Sequence, residues 1–474
     1  MPSKVSLFTS AAERLLSEGV SPTTAAVPFW VPGRIEIVGK HTDYAGGRSL
    51  LCAAPKGLAV VSCRRTDSRC RLYSSEGGIP RRPVEILISP QPTHLAEIDG
   101  WARHAAIATR RLSANFALSG GADVAFESDL PEASGMSSSS AIVCGSFLAI
   151  AQASSRRVYV FPVVTPHTHF PSVTRHVSPI CHTPCVLAPM RHTPRVPPCI
   201  TSMLRSMIFS QRNELAQLPK FRRLLPTAEA LCEYLGCIEN GSTCGGELPG
   251  DGGVGTCGGS EDHTAIMCSE PNRLRCYSYA PLRLEAESAL ADPLTFVVAV
   301  SGVVANKSTS RQRDFNLAAR LARLAASAAA GGVEPPPTLA ELISQIATTL
   351  GVPPHDDRVR ASLLGSILAR DVGRDYGVDG PLPPGVDGPL PPGAAAPHER
   401  RSWLERTAAE AMRFLGCPVS LTPPHLPSRH KTMCFPFATR ARSYKPFLLT
   451  FSLLGAAAAG LTPREPRGAR DSLL

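Results

Sequence analysis

Four consecutive hydroxyl side chains follow a glycine in the segment 129–141, which reads DLPEASGMSSSSA. This segment connects a strand-like alternation over 122–128 to an apolar helical pattern over 141–153. A small-residue loop that leads into a helix brings several backbone N–H groups and the positive end of the helix to one point. The pattern therefore favours a polyphosphate site. A serine-rich turn that caps an ordinary helix is the alternative, since the loop lacks the Gly-Lys-Ser/Thr of the common P-loop.

A second group of polar residues lies in the segment 31–47, VPGRIEIVGKHTDYAGG. A short strand with alternating Ile35 and Ile37 delivers Arg34 at one end. Its other end carries Lys40, His41 and Asp43. Polar groups on a tight turn between glycines suit a polyhydroxylated ligand, because each desolvated hydroxyl needs a donor or an acceptor. A solvated hairpin turn is the alternative.

These segments resemble those of a known enzyme family. The segment 32–50, PGRIEIVGKHTDYAGGRSL, resembles the galactokinase signature of the GHMP small-molecule kinases, and 131–141 resembles the phosphate-binding loop of that superfamily. A third segment, CGGSEDHTA at 257–265, resembles the one that carries the family's catalytic aspartate. The three motifs occur in the family's order, and the resemblance covers roughly 8–154 and 209–310 and, loosely, the helices to about 416.

The resemblance implies an α+β fold, namely the two-domain GHMP kinase fold with mixed sheets and helices and an active site in the interdomain cleft. The residue patterns also indicate an α+β fold, because strand and helix patterns are mixed along the chain without a regular βαβ alternation. The strand patterns occupy 84–89, 122–128 and 294–300, and the helical patterns occupy 6–19, 141–153, 311–329 and 400–415.

The expected domains are an N-terminal kinase domain at 1–285, an incomplete C-terminal kinase domain at 286–416 and an atypical basic, proline-rich tail at 417–474. A segment at 155–208, rich in His, Cys and Pro, interrupts the first domain and is expected to be a disordered insertion. Its Cys and His spacings fit no zinc template. Within the second domain, the octapeptide VDGPLPPG occurs twice in succession at 378–393, which predicts a stiff loop.

By resemblance, the chain is an ATP-dependent kinase that phosphorylates a monosaccharide at its anomeric hydroxyl. Asp262 would orient or deprotonate the attacking hydroxyl. Arg34 beside it would lower the pKa of Asp262 and stabilise charge in the transition state. The structural alternatives are an N-cap in a turn before a strand for Asp262 and a surface ion pair for Arg34.

The remaining ligand contacts also follow from the resemblance. The ATP-binding residues would be Ser134, Gly135, Met136, Ser137, Ser138, Ser139 and Ser140. Mg²⁺ would be held by Ser138 and by an acidic residue, Glu239, with Glu247 as second candidate, because a hard cation needs such a ligand. His41 and Asp43 would bind sugar hydroxyls. Lys40 departs from the pattern, since galactokinases have Glu there, so the identity of the sugar stays open.

A second function class also stays open. Kinases of this family have a third glycine-rich motif after their last helices, and nothing after Leu415 resembles it. The chain would then be a catalytically impaired relative that binds sugar and nucleotide, or a truncated product. The presence of both Arg34 and Asp262 favours the kinase, because a protein that only binds these ligands has no need of that pair.

Charge and cysteine content limit the partners and the compartment. The net charge of +10 is carried by the segments 155–213 and 417–474, so it does not indicate a nucleic-acid surface. The 15 cysteines are an odd number, no CxxC pair occurs and the first twenty residues lack an apolar signal core, which favours the cytoplasm. The apolar run at 447–461 is short for a membrane span. We expect a monomer with no nucleic-acid or membrane partner.

Overall fold

A long central strand, β2 (Arg48–Arg64), organises the sheet in the computed structural model. It pairs antiparallel with β1 (Ala26–Val38) along most of its length. Its second half pairs antiparallel with β6 (Ala122–Ser128), and its first residues pair antiparallel with β7 (Arg273–Tyr279). Segments that are far apart in the sequence are thereby joined through one strand.

The structure describes residues 3–76, 79–89, 98, 100–118, 120–131, 135–153, 208, 213–290, 296, 312–331 and 338–368. Apart from residues 208 and 296, the insertion at 155–208 and the predicted strand at 294–300 lie outside these residues. The repeat at 378–393, the predicted helix at 400–415 and the tail at 417–474 lie outside them as well.

The sheet has eight strands in the described residues, in the order β4-β3-β6-β2-β7-β8, with β1 also paired to β2 and β5 to β3. The remaining strands are β3 (Arg69–Glu76), β4 (Ile79–Pro80), β5 (Val84–Leu87) and β8 (Leu282–Ala289). The β3–β6 ladder is parallel, whereas β3 pairs antiparallel with β4 and β5. The sheet is therefore mixed.

Ten α-helices and one 3-10 helix accompany the sheet in the described part of the chain. The first six are α1 (Lys4–Ser17), α2 (Trp101–Phe116), α3 (Ser138–Ala153), α4 (Glu214–Gln217), α5 (Pro219–Leu224) and α6 (Ala228–Asn240). The others are α7 (Glu261–Cys268), α8 (Gln312–Ala329), α9 (Leu339–Leu350), α10 (Asp357–Leu368) and the 3-10 helix Asp43–Ala45. Helices and a mixed sheet together confirm the α+β class.

Helix α1 covers one face of the sheet. The Ser3 side chain caps its N-terminus by accepting a hydrogen bond from the Ser6 N–H at 3.1 Å. The apolar face predicted from the sequence is buried and packs on Trp30, Val61 and other residues of the sheet. Of the predicted residues, Phe8, Ala11 and Leu15 are buried and Leu16 is partly buried, and Leu7 and Ala12 are buried beside them.

Helix α3 covers the opposite face. A Cβ atom at Gly145 would lie 3.0 Å from Val60 Cγ2 and 3.6 Å from Val31 Cγ2. Val31 and Val60 neighbour Trp30 and Val61, which face α1, and consecutive strand residues point to opposite sides. Helix α3 is consequently buried along almost its whole length, as the apolar pattern at 141–153 predicts.

The three C-terminal helices form a separate apolar cluster. Buried residues of α8, α9 and α10 pack together, among them Ala325, Leu342 and Leu363. Ala45 of the 3-10 helix belongs to the same cluster, and Tyr44 packs against it. The C-terminal helices thus support the turn that follows β1.

By internal packing the chain divides into two units. The first comprises 1–288 and 304–420 and contains every element described above except the last residue of β8. The second comprises 289–303 and 421–474, of which the structure describes residues 289, 290 and 296 only. The predicted domain boundary at residue 285 stays a prediction. In the described residues, no helix is long and apolar enough to cross a membrane.

Candidate active site

An ion pair between Arg34 and Asp262 lies at the centre of the candidate site. Arg34 Nε donates a hydrogen bond to Asp262 Oδ1 at 2.7 Å, and Arg34 Nη2 lies 2.6 Å from the same oxygen. Arg34 is on β1 and is buried, whereas Asp262 is in the first turn of α7 and its side chain keeps 20% of its exposure. The buried Arg34 cation therefore positions the carboxylate of Asp262, which remains accessible to a ligand.

The close approach of β1 to the serine-rich loop fixes the position of Arg34. The Arg34 N–H donates to the Met136 carbonyl at 3.1 Å, next to a register shift in the β1–β2 ladder between Pro32 and Arg34. A Cβ atom on Gly33 would lie 2.6 Å from Leu130 Cδ2 and 2.8 Å from Met136 O. Glycine is therefore required at residue 33 for this contact.

Arg34 also faces two buried glutamates. Its Nη1 donates to Glu36 Oε2 at 2.9 Å, and its Nε lies 3.7 Å from Glu261 Oε1. Burial alone would lower the pKa of Arg34. The negative charges of Asp262, Glu261 and Glu36 have the larger effect, so the pKa of Arg34 is raised. Arg34 is thus a permanent cation.

The carboxylates outnumber the cation that they surround. Burial and the nearby charge of Glu36 raise the pKa of Glu261 well above its ordinary value. Burial and the charge of Asp262 raise the pKa of Asp43, which accepts a hydrogen bond from the Glu261 N–H at 3.2 Å. Among the described residues, neither Glu36 Oε1 nor Glu261 Oε1 accepts a hydrogen bond. The cluster favours donors such as hydroxyls.

The loop before α3 has the geometry of an anion site. Gly135 is exposed, has φ of 78° and has no atom within 4 Å of the position of a Cβ. Ser137 has φ of 62°, unusual for a residue other than glycine, and its buried hydroxyl has no hydrogen-bond partner in the described residues. The first N–H groups of α3, at Ser138 and Ser139, follow directly. Ser134 lies outside the described residues.

A second polar cluster joins α3, α6 and α7. Ser140 Oγ donates to Glu239 Oε2 at 2.7 Å, and His263 Nε2 lies 3.0 Å from the same oxygen. Burial would raise the pKa of Glu239, but His263, His104 and Ser140 outweigh it and lower that pKa to about 2. Glu239 is therefore an anion at neutral pH, and 14% of its side chain is exposed.

These residues fit a hard cation. Glu239 supplies an ionised carboxylate. It contacts Ser140 of α3, and the start of the same helix carries Ser138. Just before it lies the Ser137 hydroxyl, which has no hydrogen-bond partner in the described residues. Glu247, the second candidate, is exposed and pairs instead with Arg223 at 2.5 Å. In the described part of the chain, no group of three His, Cys, Asp or Glu side chains is arranged to hold a metal ion, so such a cation would need hydroxyl, water or phosphate ligands as well.

The turn after β1 carries the predicted sugar-binding residues. Lys40 is exposed, His41 is half-buried with φ of 57°, and Asp43 begins the 3-10 helix. The Thr42 hydroxyl stabilises the turn by donating to the Gly39 carbonyl at 2.7 Å. Asp43 reaches the cluster around Arg34 because residue 259 is glycine, where a Cβ would lie 2.5 Å from Asp43 Oδ2.

Glu36, Glu261 and His263 were not predicted from the sequence. Glu36 lies two residues after Arg34, on the same side of a strand, so the period of two is a signal that could have identified it. Glu261 and His263 flank Asp262, but their burial depends on the packing of α7 against the sheet and on α3 and α6. The sequence holds no local signal for that packing.

Comparison with known proteins identifies related families. Residues 23–64 match the galactokinase galactose-binding signature, and residues 102–158 match the N-terminal domain of GHMP kinases. The predicted resemblance is thereby confirmed. The galactokinase of Exiguobacterium sibiricum is 34% identical over 121 residues, which are 24% of this chain and 29% of the relative. The galactokinase of Bacillus subtilis is 29% identical over 118 residues, with the same coverage.

The matched part of the chain therefore spans less than a third of the length of these relatives. Among solved structures, the galactokinase of Lactococcus lactis in complex with galactose gives a TM-score of 0.44 at 15% identity, over 75% of this chain and 69% of that one.

Proposed function

We propose that the chain is an ATP-dependent kinase that phosphorylates a monosaccharide at its anomeric hydroxyl. One observation carries the proposal: Arg34 and Asp262, which are 228 residues apart, form an ion pair in contact with the serine-rich loop. The match to the galactokinase galactose-binding signature and the names of the relatives support a sugar as the acceptor and ATP as the donor.

Asp262 is the residue that receives the proton of the attacking hydroxyl. Its Oδ1 is held by Arg34, so Oδ2 is directed to the acceptor and to Ser140, whose hydroxyl lies 3.4 Å away. As the oxygen–phosphorus bond to the sugar forms and the bond to the β-phosphate breaks, the proton passes to this carboxylate and later to water. The permanent charge of Arg34 stabilises the negative charge of the transferring group.

The phosphates of ATP bind the loop from Ser134 to Ser139, whereas the hydroxyl of Ser140, which the sequence also predicts to bind ATP, is engaged by Glu239. The positive end of α3 and the N–H groups at its start attract the phosphate oxygens, and the buried Ser137 hydroxyl has no partner among the described residues. Gly135 leaves room for the close approach of a phosphate, because no atom lies within 4 Å of its missing Cβ. The loop orients the γ-phosphate toward Asp262.

Ser138 and Glu239 would hold Mg²⁺. When bound, this ion neutralises charge on the phosphate oxygens. The low pKa of Glu239 keeps its carboxylate ionised throughout the physiological pH range. The buried Ser140 and His263 fix the orientation of that carboxylate.

The sugar binds at the turn after β1 through Lys40, His41 and Asp43. Burial raises the pKa of Asp43, and its carboxyl group, which already accepts a hydrogen bond from the Glu261 N–H, can accept a further one from a sugar hydroxyl. An exposed ammonium at Lys40 can only donate. This combination favours a sugar that presents an acceptor or an anionic group toward residue 40.

The test is a phosphotransfer assay on the full chain. The protein is incubated with ATP, Mg²⁺ and, separately, galactose, arabinose, glucose and a uronic acid, and the products are followed by ADP release and ³¹P NMR. We expect one sugar to give a new sugar 1-phosphate signal. ATP binding without transfer to any sugar would contradict the kinase and support a sugar- and nucleotide-binding protein.

A further inference from the structure

The Ser140 hydroxyl lies between the two carboxylates that the proposed mechanism uses. Ser140 Oγ is 2.7 Å from Glu239 Oε2 and 3.4 Å from Asp262 Oδ2. Ser140 is on α3, Glu239 is in the last turn of α6 and Asp262 is in the first turn of α7. Three helices therefore meet at the hydroxyl of one residue, Ser140, which is only 2% exposed.

The geometry limits what this hydroxyl can do. A serine hydroxyl has a single proton to donate, whereas an ionised carboxylate can only accept. The contact with Glu239 is the shorter, so the proton is donated mainly to Glu239, and Asp262 Oδ2 accepts only the minor branch of this shared hydrogen bond. A hydroxyl that is engaged by two carboxylates does not serve as a phosphate ligand.

We propose that Ser140 is a positioning residue. Its hydroxyl links Glu239, which would hold the cation, to Asp262, which receives the proton. The proposal rests on the kinase function proposed above. It assigns Ser140 a role different from that of the other loop residues: Ser137 to Ser139 face the phosphates, and Ser140 holds Glu239 and Asp262 at a fixed separation. Since both carboxylates act on one transferring group, their separation affects the reaction directly.

A matched control exists on the same helix. Ser146 is also 2% exposed, and its hydroxyl has no hydrogen-bond partner in the described residues. Ser146→Ala therefore removes a buried hydroxyl from α3 without removing a contact to a carboxylate. The comparison of Ser140→Ala with Ser146→Ala separates positioning from a general effect on the helix.

The experiment measures turnover and cation binding separately. For each variant, kcat and KM for the sugar and for ATP are determined, and the affinity for Mn²⁺ alone is measured by electron paramagnetic resonance. Mn²⁺ is the probe because it shares the preference of Mg²⁺ for oxygen ligands. In Ser140→Ala we expect kcat and Mn²⁺ affinity each to fall about tenfold, because a hydrogen bond to a charged group is lost, with KM for the sugar nearly unchanged. Ser146→Ala should match the wild type in all three.

An isosteric pair covers the case in which Ser140→Ala does not fold. Ser140→Thr and Ser140→Val carry the same additional bulk and differ only in the hydroxyl. Thr should exceed Val in Mn²⁺ affinity and in kcat by about tenfold. Equal values for the pair, or for Ser140→Ala and Ser146→Ala, would overturn the proposal. A wild type that transfers no phosphate would refute the kinase function, and the Mn²⁺ affinities would still decide the role of Ser140.

Discussion

Replacement of Arg34 by Gln removes the only cation that the described structure pairs with both Glu36 and Asp262, while it leaves a shorter, uncharged side chain that still forms hydrogen bonds. Glu36 and Glu261 retain 5% of their side-chain exposure, and Asp262 retains 20%. Breaking a buried ion pair from one side costs about 3–5 kcal/mol, because it leaves the remaining charge unpaired. The partial exposure of Asp262 lets water screen its charge, so we expect about 3 kcal/mol at pH 7.

The loss should depend on pH. Arg34 lowers the pKa of Glu261, so without it the folded-state pKa of Glu261 rises further above the unfolded value of about 4. The native state then binds more protons than the unfolded state, so stability falls as the pH rises. The deficit of the variant relative to the wild type should be small below about pH 4, should grow between about pH 4 and the folded-state pKa, and should level off above that pKa.

Urea unfolding followed by circular dichroism at pH 5 and pH 7 tests this. Arg223→Gln is the control, because the Arg223–Glu247 pair is exposed at 59% and 48% and should contribute little. We expect the midpoint of Arg34→Gln to lie well below that of Arg223→Gln at pH 7 and closer to it at pH 5. Equal midpoints at pH 7, or a deficit that is the same at both pH values, would refute the assignment of Arg34 as the cation of a buried carboxylate cluster.

Two further substitutions test the loop contact and the sugar site. Gly33→Ala would place a Cβ 2.8 Å from Met136 O, so nucleotide affinity and stability should both fall, the latter by about 1–3 kcal/mol. In the control, Gly365→Ala in the interior of α10, no atom lies within 4 Å of the new Cβ, so calorimetry should show stability unchanged or raised by up to about 1 kcal/mol, and ATP titration should show no change in affinity. Lys40→Glu replaces a donor by an acceptor, so the use of galactose relative to other sugars should rise by roughly 5- to 150-fold in competition assays. An unchanged sugar preference would show that Lys40 points away from the ligand.

The elements nearest the site were predictable from local patterns. The alternation at 122–128 is β6, and the apolar periodicities at 6–19 and 141–153 correspond to α1 and α3. The strand around Ile35 is longer than the pattern indicates. It begins at Ala26 and passes through Pro28 and Pro32, because pairing with β2 and a register shift accommodate residues that local propensity disfavours.

The contacts within the site depended on information that is not local. The resemblance indicated Arg34 and Asp262, and the need of Mg²⁺ for an acidic ligand suggested Glu239, but the contacts of these residues arise from the packing of α6 and α7 against α3 and β1. Helix α3 begins at Ser138, and this start decides which hydroxyl turns toward Glu239. That hydroxyl belongs to Ser140, and four consecutive serines give no sequence signal to distinguish it.

The central claim is that Asp262 acts on the acceptor hydroxyl and not on ATP. The most direct test compares phosphotransfer and nucleotide binding in Asp262→Asn, with Asp357→Asn, 89% exposed on α10, as the control. We expect Asp262→Asn to lose at least about 100-fold in turnover while its affinity for ATP stays within about twofold of the wild type, and Asp357→Asn to change neither. Turnover in Asp262→Asn comparable to that of the wild type would contradict the account.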